Sequence, residues 1–289
     1  MKEVIIKIVY AFSISGMGGN PAGVVLNADS LSNEEKQRIA AKVGLSEIAF
    51  VSKSNQADFK LDFFTPTRQI AHCGHATIAT FSYLKKNGFI AGDHSSKETI
   101  DGNRDIYFKN EFAYMEQASP SYKNVETELP EILESLNLSK ADLPKNHLPS
   151  IVNTGNSFLI IPVANKITLQ EIHPDMEKIR KYSEKHNLIG YYIFSLSTEE
   201  NVNASTRMFA PRYGIDEESA TGMAAGPLAC YLFANNFTTE TELTIKQGEY
   251  MLIPSPSLIS VNLIIENSII KKLYAGGDAF VSEERHLKF

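Results

Sequence analysis

The sequence predicts a mixed α and β chain made of two related halves. One motif, a Phe-x-Pro turn followed by x-Gly-x-Ala, occurs at residues 64–76 and again at residues 209–224. After each copy the chain continues in small apolar residues, which is the composition of a buried helix. The elements before the two copies also follow the same order, and the repeat exceeds one hundred residues, too long for a solenoid unit. We infer an old duplication that produced two domains.

The first half is expected to contain a surface helix among its strands. Ser32, with Glu35 three residues later, forms the pattern of a capping box, and Gly44 is a typical helix end. The dipeptide Gly19-Asn20 leads into a short apolar strand. The segments that predict strands cover residues 1–9, 24–26, 48–51, 59–64, 105–108 and 112–115.

The second half repeats this series. The dipeptide Gly155-Asn156 leads into an apolar strand, and a helix is expected from about Asp175 to His186. A further short helix is expected at residues 129–138, and strands at residues 159–163, 191–194, 204–209, 242–245, 259–264 and 269–274. Turn-forming residues without periodicity place the crossing between the halves at residues 119–122. The N-terminal domain then comprises residues 1–118 with 277–289, and the C-terminal domain residues 119–276.

Composition excludes several classes of partner. The 289 residues are 43% hydrophobic, as in a globular protein with a core, and the net charge of −6 argues against a nucleic-acid partner. We expect no membrane partner, because no apolar run approaches the ~20 residues of a membrane span. The N-terminus lacks the cleavage site of a signal peptide. The two cysteines, Cys73 and Cys230, are far apart in sequence, so we expect no disulfide framework and a cytoplasmic location.

The glycines of the two motifs predict anion binding. Gly74 and Gly222 each open a helix, where unpaired N–H groups and a partial positive charge suit a carboxylate or phosphate. A single glycine of this kind could simply permit a tight turn between strand and helix. Because the motif occurs twice, we favour anion binding.

Two ionisable side chains near the first motif could take part in chemistry. Glu47 precedes an apolar strand, where desolvation can raise a carboxyl pKa into the range of a general acid or base; the alternative is a solvated loop glutamate. His75 follows Gly74 and can hydrogen-bond a substrate there, unless it is an exposed histidine of the first turn. His72 is close, but the spacing of histidines and carboxylates does not form a metal site. We expect no metal.

The residues before each glycine differ. Cys73 stands before Gly74, where a helix N-terminus can lower the pKa of a thiol, whereas Thr221 occupies the matching place in the second half. Two facing thiols would indicate a two-base racemase, and only one of the two matching positions carries a cysteine in this chain. The acidic run at residues 216–218 fits helix capping, although one of its members could point into a cleft.

Together these motifs resemble those of phenazine biosynthesis PhzF-like proteins, over nearly the whole chain. The matching segments, in order, are residues 19–21, 46–50, 64–66 with 73–77, and 209–211 with 214–215 and 220–222. The family is similar in fold to diaminopimelate epimerase. The resemblance implies two α+β domains, each a mixed sheet wrapped around a central helix, with the active site in the cleft between them. It also implies a homodimer.

The resemblance further implies a cofactor-independent isomerase of a small carboxylate-bearing molecule. The characterised family reaction isomerises trans-2,3-dihydro-3-hydroxyanthranilate, with a glutamate that moves a proton between ring carbons. Glu47 matches that glutamate, and His75 the family histidine. Glu218 stands where the family has an aspartate, and Met223 where it has a serine, so we expect a different substrate. The expected substrate contacts are Asn20, Cys73, Gly74, Thr221, Gly222 and Met223, beside the catalytic Glu47, His75 and Glu218.

Two alternatives remain open at this stage. Cys73 opposite Thr221 resembles the pairing in some proline-racemase-like dehydratases, which predicts a thiol-using epimerase or dehydratase of an amino or hydroxy acid. The other alternative is a non-catalytic carboxylate-binding protein, which a solvent-facing Glu47, away from both helix N-termini, would favour.

Overall fold

The computed structural model describes residues 2–289, so Met1 of the first expected strand lies outside the described residues. Contacts divide the chain into two units. Unit 1 extends to Glu116 and includes Gly276–Phe289, and unit 2 is Gln117–Ala275. Within residues 2–289, no helix combines the length and apolar character that a membrane crossing requires.

Unit 1 is a mixed sheet with two helices. Its helices are α1 (Asn33–Val43) and α2 (Gly74–Lys86). Its strands are β1 (Glu3–Ala11), β2 (Asn20–Val25), β3 (Ile48–Ser52), β4 (Phe59–Phe64), β5 (Gln69–Ile70), β6 (His94–Thr99), β7 (Gly102–Lys109) and β8 (Phe112–Gln117).

Unit 2 contains the remaining helices and most of the remaining strands. The helices are α3 (Leu129–Glu134), α4 (Lys166–Gln170), α5 (Met176–His186) and α6 (Gly222–Ala234). The strands are β9 (Ser121–Asn124), β10 (Ser150–Asn153), β11 (Ser157–Pro162), β12 (Gly190–Leu196), β13 (Ala204–Phe209), β14 (Glu242–Gln247), β15 (Ser257–Glu266) and β16 (Ile269–Gly277). The chain then returns to unit 1 as β17 (Ala279–Lys288), which pairs antiparallel with β1.

The two units repeat one pattern of strand pairing. In unit 1, β1–β2 is antiparallel, β2–β3 parallel, β3–β4 antiparallel, β4–β6 parallel and β6–β7 antiparallel. In unit 2, the same alternation runs through β10–β11, β11–β12, β12–β13, β13–β14 and β14–β15. The parallel pairs are joined by crossovers that contain a helix, as parallel pairing requires. The fold class predicted from sequence, an α+β chain of two similar domains, is confirmed.

The helix after each Phe-x-Pro turn is the most buried helix of its unit. Along α2, nine of the thirteen residues are buried, and along α6 ten of the thirteen are buried. Helices surrounded in this way carry apolar or small side chains on every face instead of one stripe. Each helix starts directly at its motif glycine, so its N-terminus is held by the core of the unit.

The surface helices follow their local signals. The Ser32 hydroxyl accepts a hydrogen bond from the Glu35 amide, the Glu35 carboxylate accepts one from the Ser32 amide, and Gly44 ends α1 in the left-handed region. Asp175 caps α5. The expected short helix at residues 129–138 ends earlier, at Glu134.

Several strands lie outside the predicted segments. Strand β9 begins at Ser121, inside the segment expected to be a plain crossing, and all four of its residues are exposed. Strand β6 has the polar sequence His-Ser-Ser-Lys-Glu-Thr. Both lack the apolar alternation that marks a strand, and their pairing with neighbouring strands makes them extended.

We expect Gly190→Ala to lower the free energy of unfolding by about 1–3 kcal/mol, because the added methyl group overpacks the core. A Cβ at this first residue of β12 would lie 2.3 Å from the carbonyl oxygen of Phe209. Urea unfolding measures the change. The matched control is Gly92→Ala, since a Cβ there meets nothing within 4 Å. Equal stability of the two variants would contradict the prediction.

Candidate active site

The N-terminal turn of α2 organises the candidate site of unit 1. Cys73 is the N-cap residue in extended conformation, and Gly74 is the first helical residue. The hydroxyl of Thr77 donates to the carbonyl of Cys73 at 2.6 Å, and the Thr77 amide donates to the same carbonyl at 3.2 Å. Helix geometry leaves the earliest amides of the turn without helical acceptors. The turn can therefore bind an anion.

Glu47 lies beside this turn. It immediately precedes β3, and its carbonyl accepts a hydrogen bond from the Gly23 amide at 3.0 Å. Its side chain is only 14% exposed, and its Oε2 lies 3.2 Å from Nε2 of His75. Glu47 is therefore not a solvated loop residue, and it does not have the solvent-facing position that would argue against catalysis.

Burial and pairing set the charges of the two groups. Desolvation raises the pKa of the Glu47 carboxyl, but the hydrogen bond and charge of His75 outweigh it, helped by a hydrogen bond from Ser46, and the pKa lies below its ordinary value. Desolvation lowers the pKa of His75, but Cys73 and Glu47 outweigh it and hold that pKa well above its ordinary value. Both shifts favour a carboxylate next to an imidazolium.

Cys73 is the third member of this cluster. Its Sγ lies 3.6 Å from Nδ1 of His75, on the side of the ring away from Glu47. Burial raises the pKa of the Cys73 thiol, although His75 acts in the opposite direction. The Cys73 side chain is therefore a protonated thiol at pH 7.

Among residues 2–289, one group of at least three potential metal ligands lies close together, and it consists of these same three side chains. One ligand atom from each of Glu47, Cys73 and His75 falls within 4.8 Å of the others. The imidazole, however, faces Cys73 with one nitrogen and Glu47 with the other. A single ion bound to one ring nitrogen could not also be bound by the side chain that contacts the opposite nitrogen. The geometry places the imidazole between a thiol and a carboxylate, and we assign no metal to it.

The N-terminal turn of α6 is the corresponding feature of unit 2. Thr221 is its N-cap residue and Gly222 its first helical residue. The hydroxyl of Thr221 donates to the Glu218 carboxylate. The Met223 sulfur lies 3.9 Å from the side-chain nitrogen of Asn156, which belongs to the second Gly-Asn dipeptide. Unit 2 thus brings Glu218, Thr221, Gly222 and Met223 together.

Gln247 braces this turn and was missed by the sequence analysis. Its side-chain oxygen accepts from the Thr221 amide at 3.0 Å and from the Tyr192 hydroxyl at 2.9 Å. Its side-chain nitrogen donates to the Glu218 carbonyl at 2.7 Å and to the Thr221 hydroxyl at 3.1 Å. A buried amide with all these bonds fixes the turn firmly. Nothing in the strand sequence around Gln247 distinguishes it from an exposed glutamine.

Two neighbouring acidic residues before α6 have different partners. Glu217 forms a two-point ion pair with Arg207, at 2.8 and 2.9 Å, and Arg207 also donates to the carbonyl of Ile172 at 3.0 Å. This pair is structural. Glu218, by contrast, is directed to Thr221 at the start of the helix.

Asn20, the remaining predicted contact, is the first residue of β2. It is 5% exposed and pairs with Ala11 of β1. The structure therefore gathers Glu47, Cys73, Gly74 and His75 around one helix start in unit 1, with Asn20 buried in the same sheet.

Known proteins resemble the chain along its length. The family model for phenazine biosynthesis-like proteins (PhzC-PhzF) matches residues 9–285. An uncharacterized isomerase of Clostridium acetobutylicum is 32% identical over 284 residues, which cover 94% of this chain and 93% of the relative. The trans-2,3-dihydro-3-hydroxyanthranilate isomerase of Pseudomonas chlororaphis is 31% identical over 238 residues, 78% of each chain.

A solved structure agrees with the fold. The Bacillus anthracis phenazine biosynthesis protein of the PhzF family superposes with a TM-score of 0.88 at 28% identity, over 100% of both chains. Family model, relatives and structure agree over both units, and the chain belongs to the phenazine biosynthesis-like PhzC-PhzF family.

Proposed function

We propose that the protein is a cofactor-independent isomerase that moves a proton within a small carboxylate-bearing substrate. The observation that carries the proposal is the buried contact between Glu47 and His75 at the start of α2. A carboxylate held beside an imidazolium, at the N-terminus of a helix, combines a general base with a turn that favours anions. The isomerase names of relatives from Clostridium acetobutylicum and Pseudomonas chlororaphis support the same reaction class.

The proposed reaction conserves all atoms. The Glu47 carboxylate accepts a proton from a substrate carbon, and the electron pair of the broken C–H bond enters the adjacent π system. The protonated Glu47 then returns that proton to a different carbon of the same π system. The His75 imidazolium and the helical amides stabilise the negative charge that develops in between.

Glu47 is a better proton carrier than Cys73 in this environment. The Glu47 carboxyl is ionised at neutral pH, whereas burial raises the pKa of the Cys73 thiol and keeps it neutral. The proposal therefore places the thiol as a neighbour of His75 and not as the base. Its helical position still allows it to contact the substrate.

The substrate is proposed to differ from trans-2,3-dihydro-3-hydroxyanthranilate. Glu218 is one methylene longer than the aspartate of the family pattern, and Met223 supplies no hydroxyl donor. Losing a hydrogen-bond donor in a polar site changes substrate preference strongly. Participation of Glu218, Thr221, Gly222 and Met223 in binding the same substrate stays a prediction, as does assembly into a homodimer.

We expect Glu47→Gln to reduce exchange of substrate hydrogen with heavy water by about 10²–10⁴-fold, because the amide cannot accept the proton. A panel of small unsaturated carboxylic acids, including trans-2,3-dihydro-3-hydroxyanthranilate, is screened by proton NMR for deuterium uptake. The control is Glu35→Gln, since glutamine is also accepted at this capping-box position. Undiminished exchange in Glu47→Gln would refute the assignment of the base.

The pH profile tests the role of His75. Glu47 must be deprotonated to act, and its pKa lies below 4.5, so we expect the acid limb of wild-type kcat/KM to lie below pH 4.5. In His75→Gln the desolvation of Glu47 is no longer outweighed, so the acid limb should move above pH 4.5. The exposed His94, changed to Gln, serves as the control. An unmoved acid limb in His75→Gln would contradict this coupling.

Cys73→Ala separates the proton shuttle from the thiol mechanism. We expect this variant to keep more than roughly a tenth of wild-type exchange, because a binding contact is lost and the base is retained. The same NMR exchange assay measures it. A loss as large as that of Glu47→Gln would instead favour the thiol-using epimerase or dehydratase.

A further inference from the structure

Unit 1 contains a fully buried lysine close to the candidate site. Lys97, in the middle of β6, has no exposed surface. Its Nζ donates to the hydroxyl of Thr77 at 2.6 Å and lies 3.2 Å from Nδ1 of His72. The ammonium also lies 5.2 Å from the ring centre of Phe63. Among the described residues it forms no ion pair with a carboxylate.

Lys97 is connected to the helix start by a short chain of hydrogen bonds. It donates to Thr77, and the Thr77 hydroxyl donates in turn to the carbonyl of Cys73 at 2.6 Å. Cys73 is the N-cap residue of α2. The ammonium thus stands behind the turn that carries Cys73, Gly74 and His75, on the interior side of the unit.

Burying a lysine at this position costs free energy of folding, and a role at the candidate site would account for its presence there. Removing an ammonium from water costs several kcal/mol, and an apolar side chain of similar volume would fill the same space without that cost. Burial lowers the pKa of Lys97 to about 7, with Arg104 acting in the same direction and Cys73 and Asp101 opposing it. Desolvation and the charge of Lys97 lower the pKa of His72 well below its ordinary value, so His72 is the neutral acceptor.

We propose that Lys97 is a positioning residue for the first turn of α2. Through Thr77 it fixes the carbonyl of Cys73, and its buried positive charge stands behind the amides proposed to hold the substrate carboxylate. Field lines from a charge in a low-dielectric interior are weakly screened, so the ammonium adds to the helix dipole at this end. Anionic groups at the turn, whether a bound carboxylate or the Cys73 thiolate, are stabilised together.

The Cys73 thiol reports on this effect without a substrate. The chain has two cysteines, so a Cys230→Ala background leaves Cys73 as the only thiol. In that background we expect Lys97→Met to slow the alkylation of Cys73 by iodoacetamide at pH 6, where Lys97 is mostly protonated, by about threefold or more, because loss of the cation reduces the thiolate fraction. The rate-versus-pH profile should fall below that of the parent at pH values under about 7 and approach it at higher pH, where Lys97 is neutral. The charged groups facing Cys73 in this profile are His75, Glu47 and Lys97.

The matched control is Lys85→Met in the same background. Lys85 belongs to the last turn of α2 and donates to the carbonyl of Gly92 at 2.8 Å, at the opposite end of the helix. We expect this change to leave the alkylation profile unmoved. Thermal unfolding of each variant identifies any loss of fold.

An unmoved alkylation profile in a folded Lys97→Met variant overturns the proposal, because a purely structural lysine would change only the thermal midpoint. Should Lys97→Met fail to fold, Thr77→Val decides, since it removes the hydroxyl that links the ammonium to Cys73. A shifted profile in Thr77→Val supports the connection, and an unshifted one overturns it.

The effect on turnover rests on the function proposed above, whereas the alkylation assay does not. With a substrate in hand, Lys97→Met should raise KM by about threefold or more and leave kcat within about twofold, as expected when carboxylate binding is weakened and the base is intact. A shifted thiol profile without hydrogen exchange in the wild type would retain Lys97 as a positioning residue and reject the isomerase.

Discussion

The buried contact between Glu47 and His75 is the constraint on which the candidate site depends. Either charge alone would be expensive in this setting, because desolvation opposes the ionised form of both groups. When the two groups lie next to each other, the pKa of each is shifted in the direction that favours its ionised form. The pair is possible only because the edge of β3 and the start of α2 are held by the same sheet, with Gly23 of β2 bound to the Glu47 backbone.

This dependence explains why the site is built on rigid elements. Glu47, the proposed base, is the residue before a buried strand, and His75 is the second residue of a helix that the core surrounds. A side chain carried by a surface loop would not be kept at 3.2 Å from its partner. Positioning of this kind is a large part of what a proton-transfer enzyme contributes.

The sequence predicted the elements that have strong local signals. The repeated motifs identified both buried helices, because a run of small and apolar residues is the composition of a helix that is buried on every face. The capping box at Ser32 identified α1. The polar strands β6 and β9 were missed, since tertiary pairing and not local preference makes them extended. Glu47 and His75 could be named from the family pattern. Gln247 and Lys97 could not, because a single glutamine or lysine in a strand carries no sign of the partners that burial gives it.

The side-chain amide of Gln247, in β14 of unit 2, can be compared with the ammonium of Lys97, in β6 of unit 1. By pairing order β14 is the counterpart of β6, and the register places Gln247 opposite Thr206 of β13 and Lys97 opposite Phe59 of β4. Each unit therefore braces its helix start from the equivalent strand, one with a neutral amide and the other with an ammonium. An amide keeps its hydrogen bonds across the whole physiological pH range, whereas an ammonium with a pKa of about 7 does not. The brace of the helix start in unit 2 is therefore indifferent to proton concentration, whereas the brace in unit 1 responds to it.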